Sequence, residues 1–379
     1  MKFFKLLILT VALFTVEQTL ATQPVSLRDK IGQMLIIGFE GKQVDKDSPI
    51  IKAINQENIG GVILFDYNYR TDTFDKNIES PAQVKKLNYQ LQQANERANQ
   101  KYHRAQLPLL ISVDYEGGAV NRLGKEYGFP ETLPAAVVGK MKKEEAAELA
   151  DNMGRTLENA GFNLNFAPDI DVNVNPDNPI IGQLGRSFSA DPGEVASFAT
   201  IYSRYFLQHK SQCAYKHFPG HGSSNSDSHL DFVDVSESWQ ESELEPYKQL
   251  LAGDEGCNMV MTAHIVNRKL DESGLPATLS HKILTGILRE QLQFNGVIIT
   301  DDMQMKAISD HYGLEQAVTL AVNAGADMFI FGNQLSKTPQ DPKEVIDIIE
   351  AKVKSGEISQ ARIENAYRHI QSFKSTLLL

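Results

Sequence analysis

Eight short apolar runs constrain this chain more than any other feature of its sequence. Each ends in polar or charged residues, and most are followed by a stretch with helical spacing. The runs are Ile31–Phe39, Gly61–Phe65, Leu107–Val113, Phe162–Ala167, Cys213–His217, Met259–Ala263, Gly296–Thr300 and Met328–Phe331. The predicted helices are Ser26–Lys30, Ala82–Arg104, Lys142–Ala160, Pro192–Gln208, Glu241–Gly253, His281–Gln293, Leu314–Ala324 and Pro342–Lys354, with Ser359–Phe373 packed outside. Fully apolar strands separated by helices indicate a parallel sheet covered on both faces. Eight such units are the count of a (β/α)8 barrel. A doubly wound open sheet is the alternative. It requires a glycine-rich phosphate loop after an early strand, and Glu116-Gly117-Gly118 lacks that spacing. The expected fold class is therefore α/β, a TIM-type (β/α)8 barrel in one domain, since no Pro/Ser-rich spacer or low-complexity tract divides the chain.

The N-terminus carries a targeting pattern. Lys2 and Lys5 flank the start of the apolar run Leu6–Val16, and Thr19-Leu20-Ala21 supplies small residues. This reads as a signal peptide over residues 1–21, cleaved after Ala21, with the barrel domain over 22–379 and an exported, periplasmic or secreted product. The run is too short for a stable membrane span. A net charge of −11 without basic tracts argues against a nucleic-acid partner. The two cysteines, Cys213 and Cys257, sit in or beside apolar runs, so buried free thiols are favoured over a bridge.

Barrel enzymes carry their chemistry at the C-terminal ends of the strands, and here those ends are charged. The third run leads into Asp114, Glu116 and Arg122. The fourth leads into Asp169, Asp171 and Arg186, the fifth into Lys216 and His217, the sixth into His264, and the seventh into Asp301-Asp302. Adjacent strand residues point in opposite directions, so one aspartate of the last pair faces the pocket; Asp301 is favoured, and Asp302 reads equally well as a backbone acceptor. The loop KHFPGHGSSNSDSH, Lys216 to His229, holds three histidines and two glycines, and it reads as a mobile catalytic loop after the fifth strand. Within it, Asp227-Ser228-His229 places a carboxylate beside an imidazole, which orients the ring and raises its pKa for proton donation near neutrality. Zinc on His217, His221, Asp227 and His229 is a rival reading, opposed by the Lys216 charge. Neither metal nor cofactor is expected.

These segments resemble glycoside hydrolase family 3, in its single-domain β-N-acetylglucosaminidase branch. The resemblance rests on KIGQMLIIGF, ISVDYEGGAVNRL, FNLNFAPDIDV, LGRSFS, KHFPGHG followed by DSH, MVMTAHI and GVIITDDMQMKAI, in this order over most of the chain. It implies a retaining exo-β-N-acetylglucosaminidase acting on terminal β-linked GlcNAc, with a peptidoglycan-derived saccharide as expected substrate. It implies Asp301 as nucleophile and His229 as acid/base with Asp227 as its partner. It further implies that Asp114, Arg122, Arg186, Lys216 and His217 hold the sugar hydroxyls. Asp169 and Asp171 are expected to be supporting residues, His264 a lining residue, and His221 a brace of the loop backbone. Two positions depart from the family's usual pattern: Ala119 stands where arginine is common, and Tyr115 where glutamine is common. A β-glucosidase or β-xylosidase of the same family and a non-catalytic cell-wall saccharide-binding protein are the alternatives.

Overall fold

The computed structural model describes residues 25–228, 232–253, 255–335 and 338–378. The signal-peptide reading therefore lies outside the described residues, and so does His229. Eight parallel strands close into a barrel: β1 (Leu35–Gly38), β2 (Gly61–Ile63), β3 (Leu110–Val113), β4 (Leu164–Asn165), β5 (Gln212–Phe218), β6 (Met259–Thr262), β7 (Val297–Asp302) and β8 (Met328–Phe331). Each pairs with its sequence neighbours, and β1 closes on β8 with Leu35 opposite Phe329. All eight expected runs hold a barrel strand. The first begins later than expected: Leu27–Gly32 is helical, capped by the Ser26 hydroxyl, so Ile31 belongs to a helix and the strand begins at Leu35.

Local chemistry explains the helical layer. The helices Pro49–Glu57, Pro81–Lys101, Pro192–Gln208 and Pro342–Ser355 all open on proline, whose fixed φ suits the first turn and whose missing N–H costs nothing there. Asp191 and Asp341 cap two of them. Lys143–Ala160 stops at Gly161 at φ 81°, a left-handed position that suits glycine. The short β4 is supplemented by side chains: Asn163 and Asn165 each accept from one β3-side N–H and donate to one carbonyl, at 2.7–3.0 Å. This pins Tyr115, and hence Asp114 and Glu116, to the barrel wall. The family-departing Tyr115 ring is buried in the core.

Cys213 and Cys257 form a disulfide, which corrects the expectation of free thiols. They are 44 residues apart, but Cys213 is the second residue of β5 and Cys257 lies two residues before β6, and pairing of these neighbouring strands brings their Cα atoms to 4.9 Å. Among the described residues no helix is long and apolar enough to cross a membrane.

Candidate active site

The charged residues at the ends of β3, β4 and β5 assemble into one buried network. Arg186 grips Glu116 bidentately, through Nε to Oε2 at 2.8 Å and Nη2 to Oε1 at 2.7 Å. Lys216 Nζ lies 2.6 Å from Glu116 Oε1 and 3.0 Å from Asp114 Oδ1. Burial alone would raise the Glu116 carboxyl, but Arg186 and Lys216 hold it well below the carboxylate range. In return Asp114 and Glu116 keep Lys216 protonated despite its burial. Glu116 thus fixes both cations, a role the sequence reading did not give it; the available signal was a third carboxylate two residues past Asp114.

Asp171 organises the root of the loop. Its Oδ2 is 2.7 Å from His217 Nδ1, and its Oδ1 accepts from the backbone N–H of His221 at 2.7 Å. Burial raises Asp171 to about 6, against the pull of the backbone donors. Burial likewise lowers His217 to about 4, against the nearby charge of Asp169. His217 Nε2 faces Arg186 Nη2 at 3.3 Å. Asp169, raised well above the carboxylate range by burial and then by Asp171, lies 3.3 Å from Arg186 Nε. Asp169 and Asp171 therefore support Arg186 and His217, as expected. Ligand atoms of Asp169, Asp171 and His217 lie within 4.8 Å of one another, yet Arg186 already supplies the positive charge there, so these residues do not fit a cation.

At the end of β7 the two aspartates separate. Asp302 is buried, and its Oδ1 accepts from the N–H groups of Gln304 (3.0 Å) and Gly332 (3.3 Å), so it is a backbone acceptor. Asp301 is half-buried, takes the Asp302 N–H at 2.8 Å on Oδ1, and is close enough for its charge to oppose the lowering of His217. His264, expected to line the pocket, instead braces this turn: Nδ1 meets Thr278 Oγ1 at 2.7 Å and Nε2 meets the Asp302 carbonyl at 3.0 Å.

The root of the Lys216–His229 loop is packed, which corrects the expectation of mobility there. The Lys216–His217 and Phe218–Pro219 peptides are cis. Gly222 is required by close approach: a Cβ would stand 1.7 Å from the Val172 carbonyl oxygen. Asn178 donates to the His221 carbonyl at 2.7 Å, and Ser223 N–H to buried Glu243 at 3.2 Å. His221 Nε2 meets Ser228 Oγ at 3.2 Å, so His221 braces the loop as expected. Further on, Ala307 N–H meets the Ser228 carbonyl at 3.4 Å, which joins the loop to the chain just past β7. Asp227, half-buried, is on this joined segment. Arg122 stands apart from the network. It extends over the Phe65 ring toward Asp66, with 3.9 Å between Nη1 and Oδ1.

Residues 26–373 match the profile described as Glycosyl hydrolase family 3 N terminal domain. The chain belongs to glycoside hydrolase family 3. It is 29% identical over 395 residues to Beta-hexosaminidase A of Pseudoalteromonas piscicida, covering 95% of this chain and 62% of that protein. It is 32% identical to a Beta-hexosaminidase of Tolumonas auensis, covering 79% and 82%. The family 3 β-N-acetylglucosaminidase from Paenibacillus sp. str. FPU-7 superposes with a TM-score of 0.81 at 34% identity, over 93% of this chain and 63% of that one. The Beta-N-acetylhexosaminidase from Beutenbergia cavernae superposes at 0.80 and 26% identity, over 93% and 99%. The chain thus spans less than two thirds of some relatives and nearly all of others.

Proposed function

We propose that this family 3 chain is a retaining exo-β-N-acetylglucosaminidase that removes terminal β-linked GlcNAc. Asp301 attacks the anomeric carbon as the glycosidic C–O bond breaks, giving a glycosyl ester on its carboxylate. His229, oriented by Asp227, gives its proton to the departing oxygen. It then takes a proton from the water that releases the sugar and frees Asp301. A histidine donor is neutral once it has given up its proton, so it adds no second negative charge beside Asp301. Asp114, Lys216, Arg186, His217 and Arg122 hold the ring hydroxyls.

The observation that carries this reading is the contact of the Ser228 carbonyl with Ala307 N–H, since it draws the Asp227 segment to the strand end that holds Asp301. The hexosaminidase names of the relatives support the choice of sugar. The exposed loop tip, Asn225 and Ser226, is the part we read as closing over substrate. Export, and a saccharide derived from peptidoglycan, complete the proposal; the Cys213–Cys257 bridge supports an oxidising compartment. The test is a parallel assay of aryl β-GlcNAc, β-Glc and β-Xyl substrates with and without EDTA. The reading predicts turnover concentrated on β-GlcNAc and indifferent to chelation. Preference for glucose or xylose, or loss with EDTA, would contradict it.

A further inference from the structure

The chain between β2 and the helix Pro81–Lys101 leaves the barrel mouth and returns as a hairpin. Lys76 N–H donates to the Asp66 carbonyl at 3.0 Å, and Asn68 and Thr73 exchange backbone bonds at 2.7 and 3.3 Å. Its root is firmly held. Lys76 is buried, donates to the Asn333 carbonyl and to Gln334 Oε1 (3.1 Å), and lies over the Phe65 ring. Asn77 accepts from Phe65 N–H and donates to the Phe39 carbonyl, both at 3.1 Å. The root is therefore joined to the exits of β1 and β8, next to Asp302.

The tip is unlike the root. Phe74 is 66% exposed and Tyr69 46%, while the Tyr67 ring meets Phe74 edge-on at 5.1 Å and its hydroxyl bonds Asp72. Single exposed aromatics such as Tyr89 on the outer helix Pro81–Lys101 need no explanation. Two within six residues, backed by the half-buried Tyr67 on a stiff support at the catalytic face, do. The charges interspersed there, Arg70, Asp72 and Asp75, are mixed in sign, which suits a neutral ligand.

We propose that Tyr67, Tyr69 and Phe74 form a platform for the sugar ring on the leaving-group side of the cleaved bond, in a β-linked saccharide of two or more units. This rests on the glycosidase reading above. There, β3 to β5 supply the groups that hold the hydroxyls of the terminal sugar, and β7 supplies the nucleophile. The hairpin is rooted at the exits of β1 and β8, where Gly332 N–H donates to Asp302, the chain neighbour of Asp301. A pyranose presents an apolar C–H face with polar edges, and aromatic rings are its complementary partner.

The experiment compares wild type with Tyr69→Ala, Phe74→Ala and the double variant, substitutions at exposed positions that spare the core. KM and kcat are measured on a β-1,4-linked GlcNAc trisaccharide, and free N-acetylglucosamine, which fills only the terminal-sugar position, is titrated as an inhibitor. The double variant should raise the trisaccharide KM about tenfold, as stacking energies of this kind allow, with kcat and the N-acetylglucosamine inhibition constant unchanged. Phe74→Trp should retain wild-type KM. An unchanged trisaccharide KM, or equal weakening of trisaccharide and monosaccharide, would overturn the platform. A wild-type protein that neither cleaves the trisaccharide nor binds N-acetylglucosamine would instead remove the functional reading, and the platform with it.

Discussion

The barrel carries a buried ionic cluster at each end, built from the same residue types and satisfied differently. At the N-terminal end, Asp327 just before β8 is fully buried. It accepts from Arg289, from Arg362 at 2.8 Å and from Ile298 N–H at 3.0 Å, with His369 Nδ1 at 3.1 Å. Its pKa is lowered: burial opposes ionisation, but His369 and the two arginines outweigh it. At the C-terminal end, Asp169 and Asp171 are raised, Asp169 Oδ2 has a 3.3 Å ion pair with Arg186 Nε but no well-aligned hydrogen bond, and Asp301 stands half-buried. One cluster is closed on itself and stabilises the fold. The other holds raised, buried carboxyls behind the strand ends, the face on which barrel enzymes place their sites.

The sharpest way to break this contrast is to remove one aspartate from each end. Asp301→Ala should lower kcat on the order of 10³-fold or more with an unchanged unfolding midpoint. Asp327→Ala should leave kcat per folded molecule intact but cost about 3–5 kcal/mol of stability in urea, since two arginines lose their buried partner. If Asp327→Ala were the inactive one, the assignment of the two ends would be wrong. Glu116→Gln keeps the shape of the strand-end cluster and removes the charge that fixes Arg186 and Lys216. A fall of about 10²-fold in kcat/KM, carried mainly by KM, is expected from steady-state kinetics.

Replacing Cys213 and Cys257 by alanine together should cost about 2–4 kcal/mol in denaturant, with kcat unchanged, because the bridge ties the N-terminal ends of β5 and β6, away from the chemistry. The smallest effect concerns Glu243 beneath the loop, raised by burial from 4.5 to about 7. A raised carboxyl contributes stability that is complete below pH 4.5 and is lost as pH rises through about 7. The unfolding midpoint of Glu243→Gln should therefore gain on wild type as pH rises across that window, and parallel profiles would refute the role given to Glu243.

The contrast also shows what the sequence could and could not disclose. Strand count, order and helix starts follow from local chemistry, such as prolines at helix openings and apolar runs bounded by charge, so the barrel was legible. So was the set of strand-end charges, because βα periodicity places each at the same end. Hidden was whatever depends on partners far along the chain. Glu116 meets Arg186 across 70 residues and Cys213 meets Cys257 across 44, and only the closure of the barrel brings them together. Gly222 misled for a related reason: the backbone it must approach, Val172, lies on another strand's exit loop, so a packed contact read as looseness.

The central claim is that Asp301 bonds to the anomeric carbon while the Asp227–His229 segment serves the departing oxygen. A fluorinated β-N-acetylglucosaminide that forms its glycosyl-enzyme quickly and releases it slowly tests this, followed by proteolysis and mass spectrometry. The account predicts one sugar adduct per chain, on the peptide containing Asp301, with Asp301→Ala unlabelled. A label on another carboxylate, or turnover with inversion and no adduct, would contradict it.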